Sequence, residues 1–537
     1  MADVLKCSAD QAVPPSVRVG SQPKVGCCPP LRSSILCGTM HKLSPGFFCL
    51  LGLVVTASAQ SGINPSSTAP KPAEHPVTFS VYERARNDNW QWFAAPPASN
   101  TYSYLQSLLR ISFAQKLEHW DWLGEAEQAW VGGVPNDAVS AVAAQGQLGL
   151  GGSYYAAGGN NTEPVAASFK QGWVRYDAAP DKNIRVGRFE FFEGVELHPK
   201  DPTVLWLQNN RIQQHLLGNF GFSNAMRSFD GIDAHYGSDS WNITAMAARA
   251  DQGVFNMNGN PEINVDTQYL AYSRMAAQGH VIARAFAIGY HDGRTGVTKS
   301  DNRPLAVRQA DHKNIRLGTY GGDLVATQPA GRGTFDFVFW GAWQNGAWGE
   351  LTQSAGAASL EGGYRFTKVP TTPWIRGGWW RGTGDNNPSD TKYNTFVILL
   401  PTPRVYGRLP FYNFMNSTDT FVHVIDRPRK GWELRSDLHW LDLTSSHDLW
   451  YSGGGAFDNK VFGFTGRPAN GHSSLASVWD ISSDWQATKN LAVNSYYGYG
   501  WGKSVVDAIY PTGKNMQLGY VELIWRWGRP LGTSTAK

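Results

Sequence analysis

The stretch that decides the fold lies near the C-terminus and reads SLASVWDISSD (Ser474–Asp484), NLAVNSYYGYGW (Asn490–Trp501) and NMQLGYVELIWRW (Asn515–Trp527). Large apolar residues fall on every second position, and turn formers separate the three runs. The apolar sets are Leu475, Trp479 and Ile481, then Leu491, Val493, Tyr497, Tyr499 and Trp501, then Val521, Leu523, Trp525 and Trp527. Asp480, Asp484, Tyr520, Glu522 and Arg526 take the other parity. Period-two alternation sends the two sets to opposite faces of a sheet. Aromatics clustered at strand ends, with charges on the inner parity, point to an outer-membrane barrel rather than a soluble sandwich.

Composition agrees. Of 537 residues, 17% are charged, below the roughly 25% of ordinary soluble domains, and 13% are aromatic, with 22 Trp and 58 Gly. Mean hydropathy is −0.34, and beyond the N-terminal region no run approaches the roughly 20 apolar residues of a membrane helix. A membrane location therefore requires a barrel. The formal charge of +4 is mild and no basic run has the spacing of a nucleic-acid module, so nucleic acid is not an expected partner.

All five cysteines (Cys7, Cys27, Cys28, Cys37, Cys49) precede residue 50. The rest of the chain has no thiol for a disulfide framework, a metal site or a nucleophile. From Met40, His41 and Lys42 precede the apolar run Phe47–Val55 and Ala57-Ser58-Ala59, the pattern of a secretory signal. The expected organisation is an upstream extension at 1–39, a signal peptide at 40–59, a Ser/Pro-rich lead-in at 60–76, the barrel at 77–527 and a tail at 528–537. The mature chain would begin at Gln60.

The pattern predicts an all-β fold, a transmembrane antiparallel barrel of about 18 strands. The expected strands are 77–86, 104–116, 121–131, 168–178, 183–190, 226–236, 240–250, 267–275, 279–290, 313–323, 332–344, 357–367, 373–382, 432–442, 448–456, 474–484, 490–501 and 515–527. The gaps alternate long and short, as expected of long extracellular loops and short periplasmic turns. Ala179-Pro180-Asp181, Gly237-Ser238-Asp239 and Thr444-Ser445-Ser446 supply turn residues in the short gaps.

GWELRSDLHWLDLTSSHDLWYSGGGA (Gly431–Ala456) resembles the closing region of the bacterial alginate-export family of outer-membrane barrels. GDNNPSDTKYNTFVILLPTP (Gly384–Pro403), IRVGRFEFFEGVE (Ile184–Glu196) and RSFDGIDAHY (Arg227–Tyr236) are similar to the same family. The resemblance implies an 18-stranded barrel in the outer membrane of a Gram-negative-type bacterium that passes an anionic exopolysaccharide outward. It runs over most of 77–527. The chain departs from the family in continuing past Trp527 and in an inner face less one-sidedly basic than an anion pathway would prefer.

Parity places Val77, Phe79, Val81, Leu105, Leu109, Ile111 and Phe113 against lipid. Inward cations are then Arg84, Arg86, Arg110, Lys116, Arg185, Arg316, Arg435 and Arg526; inward anions are Glu125, Glu127, Glu433, Asp437, Asp480, Asp484 and Glu522. Arg facing lipid near the midplane would cost about 2–4 kcal/mol, so a polar lumen follows from the fold. Such a ladder either pairs with itself, as Arg84, Arg86 and Arg110 would with Glu125 and Glu127, or leaves guanidinium groups to bind sugar carboxylates. The expected pathway residues are Arg84, Arg86, Arg110, Arg185, Arg316, Arg435, Glu125, Glu127, Glu433 and Asp437.

The longest loop, Gly382–Gly431, has a polar start (Asp385, Asn386, Asn387, Asp390) and apolar runs at Phe396–Leu400 and Phe411–Phe414. That composition predicts a gating loop folded into or over the mouth. Its acidic start offers oxygen ligands for a divalent cation, although Asp and Asn are equally the expected turn formers; no other cofactor is expected. The Gly/Ala-rich loop 132–167 is expected to be mobile. Neither H-x-x-x-H, G-x-S-x-G nor a phosphate loop occurs, so no enzyme is expected. Three functions fit: export of an acidic polysaccharide by a monomeric channel in outer-membrane lipid, with a periplasmic secretion-complex protein as a further partner; a general porin or small-solute uptake channel; or a secreted glycan-binding or glycan-cleaving β-protein. The lipid-facing parity of Phe335, Phe337, Phe339 and Trp343 argues against the last.

Overall fold

The computed structural model describes residues 75–400, 408–452 and 465–531. The upstream extension, the signal segment, all the cysteines, most of the lead-in and residues 532–537 of the tail lie outside the described residues. The first strands are Thr78–Gln91 (β1), Thr101–Lys116 (β2), Trp120–Gly132 (β3), Val165–Ala179 (β4), Lys182–Phe189 (β5), Phe229–Ser238 (β6) and Trp241–Asp251 (β7). Glu262–Ala276 (β8), Val281–Asp292 (β9), Ile315–Ala330 (β10), Gly333–Trp348 (β11), Leu351–Arg365 (β12), Trp374–Gly382 (β13) and the two-residue Lys392–Tyr393 (β14) follow. Then come Ser417–Arg429 (β15), Trp432–Leu443 (β16), Leu449–Ser452 (β17), Thr465–Pro468 (β18), Ser474–Gln486 (β19), Leu491–Gly502 (β20) and Asn515–Pro530 (β21).

All except β14, β17 and β18 are staves of one closed antiparallel barrel of 18 strands. Each pairs with its sequence neighbour, and β1 closes the ring on β21 with Thr78 opposite Pro530 and Gln91 opposite Gln517. Apolar side chains of the outward parity are left uncovered: Leu105, Val174, Val186, Leu270, Phe335, Leu360, Ile375 and Val521 are each about half exposed. In water such a band would be unfavourable by roughly 25 cal/mol for each Å²; in lipid it is the fitting surface. Aromatic pairs lie at the short-turn end of this band. Phe79 packs on Phe113 and Trp527 at 5.2 and 5.8 Å, and Trp120 on Tyr176 at 4.8 Å.

The strand count predicted from sequence is met, but the staves are not all the same. Expected strand 448–456 is not in the barrel. Leu449–Ser452 pairs with Thr465–Pro468 in a separate ladder inside a loop, and Trp450 and Tyr451 are both buried, which breaks the alternation a stave needs; residues 453–456 lie outside the described residues. The missing stave is β15, which the sequence reading assigned to the second half of the long loop. Its inward parity mixes Asp419 and His423 with Phe421 and Ile425, and its outward parity includes Thr418 and Thr420, so hydrophobic alternation is weak there.

Two connections change accordingly. Thr444-Ser445-Ser446 opens the long loop from β16 to β19 and is not a periplasmic turn. Strands β11 and β12 run on to meet through Gly349-Glu350, with Gly349 at φ +63°, where a long loop was expected. Leu475 also moves: a register shift near Leu441 and Asp442 accompanies it, and the side chain is buried inside rather than exposed to lipid.

The core of this barrel is its own loops. The connection from β5 to β6 (residues 190–228) and the described parts of that from β13 to β15 (residues 383–400 and 408–416) both turn inward. Asp201 caps the short helix Pro202–Leu207 by accepting from the Thr203 and Val204 N–H groups, and Pro202 fits its first turn. A π-helical turn, Gln208–Ile212, continues from it and carries the buried Arg211. Loop 133–164 is also structured: its helix Gly149–Ala157 seats Tyr154 against Tyr104 and Phe255. The Gly/Ala composition that suggested mobility instead permits close approach, since a Cβ on Gly152 would lie 2.3 Å from the Ala138 carbonyl oxygen.

Candidate functional site

The lumen wall is built from the inward parity of the strands. Arg110 on β2 donates from Nε to Glu127 Oε2 at 2.7 Å, and its Nη1 lies 3.7 Å from Glu125 and 3.1 Å from Glu190. Arg86 donates to Asp88 at 3.0 Å and lies 3.5 Å from Glu522, while Arg84 lies 3.7 Å from Glu522. Both arginines also reach the inward loop: Arg84 donates to the carbonyls of Gly221 and Ser223, and Arg86 to that of Phe222. Arg185 forms a two-point pair with Asp233. Arg435 lies 2.6 Å from Asp437, and Arg427 donates to Glu433 at 2.6 Å, with the indole of Trp206 donating to the same carboxylate.

The predicted pathway residues are therefore inside, with one exception. Arg316 faces outward. On β10 the inward parity belongs to Ile315, Leu317 and Thr319, because the loops fill the lumen there with apolar side chains and reverse the usual polarity of the wall. Arg316 sits exposed at the loop end of its strand, outside the Tyr320–Trp343 aromatic pair. Lys116 and Arg526 are also exposed, at the turn end of their strands. The remaining residues do not converge on one point, being distributed around the wall as local pairs.

The acidic start of the long loop does not gather into an oxygen cage. Only Asp385 is buried. Its backbone N–H donates to Asp448 Oδ2 at 3.0 Å, and burial raises its carboxyl above the usual range. Asn386 and Asn387 are exposed. Asn387 accepts from the Ser389 N–H and Asp390 from the Lys392 N–H, which is turn chemistry. The apolar middle does enter the barrel. Phe396, Val397, Ile398, Leu399 and Leu400 are fully buried, and Gln344 of β11 clasps Val397, accepting from its N–H at 2.8 Å and donating to its carbonyl at 2.7 Å. Leu400 then hydrogen-bonds Leu216 and Gly218 of the other inward loop. Two loops remote in sequence thus meet inside the ring.

Beneath them lies a group of buried ion pairs outside the expected pathway residues. Arg211 pairs with Glu361 at 2.8 Å, and Arg376 pairs with both Glu361 and Asp336 at 2.9 and 2.8 Å, all without solvent exposure. Arg284 likewise bridges Asp323 at 2.6 Å and Glu193. Asp336 between Phe335 and Phe337, and Arg376 next to Ile375, could have been found by extending the parity argument to β11 and β13. Arg211 and Glu193 could not, since they sit on loops.

A closed ring with a lipid-facing apolar band, a charged inner wall and inward-folded loops defines an outer-membrane channel, not an enzyme. Solved structures of such channels show the same fold. Pseudomonas aeruginosa OpdK with vanillate aligns at TM-score 0.52 and 7% identity, covering 84% of this chain and 99% of that one. Acinetobacter baumannii OccAB2 aligns at 0.52 and 8%, and P. aeruginosa OccK9 (OpdG) at 0.51 and 10%, each covering 84% of this chain and 98% of the other. No curated protein matches the sequence. The sequence pattern of alginate export matches residues 138–501. The chain belongs to the alginate-export family, and its place is the Gram-negative outer membrane.

Proposed function

We propose that this channel passes an anionic exopolysaccharide of the alginate type outward, with wall guanidinium groups as exchangeable partners for the sugar carboxylates. The observation that carries the reading is the incomplete bonding of the wall arginines. Arg86, Arg110 and Arg284 are each held by wall carboxylates, yet Nη2 of each has no hydrogen-bond partner. A guanidinium anchored on one side, with a buried N–H left without an acceptor on the other, offers a carboxylate a weak, oriented contact once the inward loops make way. Weakness is required, because a polymer that must keep moving cannot be held strongly at any station. Arg316, facing outward, has no part in this path.

Conductance in planar bilayers tests the reading. Protein lacking the loop segment around Phe396–Leu400 should be blocked by an acidic polyuronate and not by a neutral glycan of equal length. Indifference to both polymers, with free passage of small solutes through the intact protein, would replace it with a general diffusion channel.

A further inference from the structure

On the inner wall, His423 of β15 stands directly opposite Asp437 of β16, and His439 follows Asp437 by two residues on the same face. All three are buried, with exposures of 0%, 0% and 1%, and one ligand atom from each lies within 4.8 Å of the others. Neither ring nitrogen of His423 has a hydrogen-bond partner, nor does His439 Nε2. A neutral imidazole has one donor and one acceptor, and leaving such groups unpaired inside a protein is unfavourable. His423 is held in place by its ring stacking on Phe421 at 4.5 Å, with Nε2 3.9 Å from Asp437 Oδ1.

We propose that His423, Asp437 and His439 form a binding site for one divalent transition-metal ion of the zinc class. The surroundings have the arrangement of a metal site's outer layer. Asp419 Oδ2 accepts from His439 Nδ1 at 2.9 Å. That bond fixes the tautomer and leaves Nε2 as a lone pair directed into the cluster, the carboxylate–histidine pattern that supports metal ligands. Asp437 keeps Oδ1 for the ion while Oδ2 lies 2.6 Å from Arg435 Nη2. Asp480 stands opposite Asp437 on β19. Asp419, Asp437 and Asp480 thus gather around Arg435, while the nearby Arg211 and Arg408 also pair with Glu361 and Asp484 at 2.8 and 3.0 Å. A dication balances that charge.

Two imidazole nitrogens and one carboxylate oxygen favour zinc, cobalt, nickel or iron over calcium or magnesium, which take all-oxygen sets. Bonds of about 2.0–2.2 Å require the three ligand atoms to draw together from their present separations of up to 4.8 Å. Tyr412, on the inward loop, is buried with its hydroxyl unpartnered among Asp419, Asp480 and Asp437. The ion would therefore lie where the wall meets the loop that enters the lumen.

The test uses full-length mature protein extracted from outer membranes in detergent, stripped with a chelator and titrated with cobalt(II). One equivalent should bind with visible d–d absorption, and zinc(II) should displace it. His439→Gln and Asp437→Asn should abolish the spectrum, and Asp419→Asn should weaken binding about tenfold, the scale of losing an outer-layer partner. Each variant is first checked for the heat-modifiable mobility of a folded barrel. Should a variant fail to fold, anomalous scattering at the zinc edge from crystals of the unaltered protein decides: a peak between the three residues supports the site. No stoichiometric cobalt spectrum in folded unaltered protein, or a spectrum unchanged in folded His439→Gln, overturns it.

Discussion

Arg110 and Glu127 occupy facing positions on β2 and β3 and are joined by an Nε to Oε2 hydrogen bond of 2.7 Å, while Arg110 Nη2 remains unbonded. The pair belongs to the inner wall, and on the proposed export reading it would also serve the passage. Arg110→Ala leaves Glu125, Glu127 and Glu190 without their shared cation. Anion selectivity, read as reversal potential across a salt gradient, should shift toward cations. Polymer flux should fall about threefold, the scale of losing one weak ionic contact among several. Heat-modifiable mobility confirms that the barrel is folded before either reading is taken.

Gln344 holds the entering loop by a two-way clasp on Val397. In Gln344→Ala both backbone groups lose their partner in a buried place, at about 1–3 kcal/mol each. The loop should detach more often, seen as larger and noisier single-channel conductance. Unaltered traces would mean that the Leu400 contacts suffice alone.

The barrel parity is tested at adjacent residues of β21. Leu523 is about half exposed to lipid, whereas Glu522 is buried beside Arg84 and Arg86. Leu523→Arg places charge in hydrocarbon at about 2–4 kcal/mol near the midplane and should impair assembly. Glu522→Gln should assemble normally, since the amide oxygen can still accept from Asn494 Nδ2, as Glu522 Oε1 does at 3.1 Å. Equal yields of folded barrel would refute the outward assignment.

The inward loop should respond to acid. Burial pushes the His215 imidazole, stacked on Trp340 at 4.9 Å, down to about 3. Its folded value lies below the unfolded one near 6.5, so the folded form binds fewer protons. Stability from this group is complete above about pH 6.5 and is lost progressively as pH falls toward 3, by up to about 1.4 kcal/mol per unit. Asp448 opposes it: burial raises its carboxyl to about 6, so its contribution is present below about pH 4 and lost as pH rises through 6. Conductance should therefore change between pH 6.5 and 4, and His215→Phe should remove the acid-side loosening while leaving the change due to Asp448.

Legibility in the sequence followed the solvent on each face. Where lipid lies outside and charge inside, as at Val521, Glu522 and Leu523, alternation placed the strand, its face and its partners. Where the lumen is filled by loops, the inner face is apolar too, and alternation loses its contrast. Arg316 was turned the wrong way for that reason, and β15 was hidden within a loop. Arg84, Arg86, Arg110, Glu125 and Glu127 were legible because parity alone fixes their side of the wall. The bonds that tie Leu400 to Leu216 were not, since nothing local in a sequence shows which loops meet.

The seam between β1 and β21 carries a consequence for how the molecule is made. Its fourteen facing pairs run from Thr78 with Pro530 to Gln91 with Gln517, joining chain positions several hundred residues apart. Contacts of such separation form late, because loop-closure entropy must be met before they contribute. Until the last strand arrives, β1 has an open edge able to pair with any other chain. Synthesis and translocation must therefore finish before the ring can close, and until then that open edge is a site of aggregation.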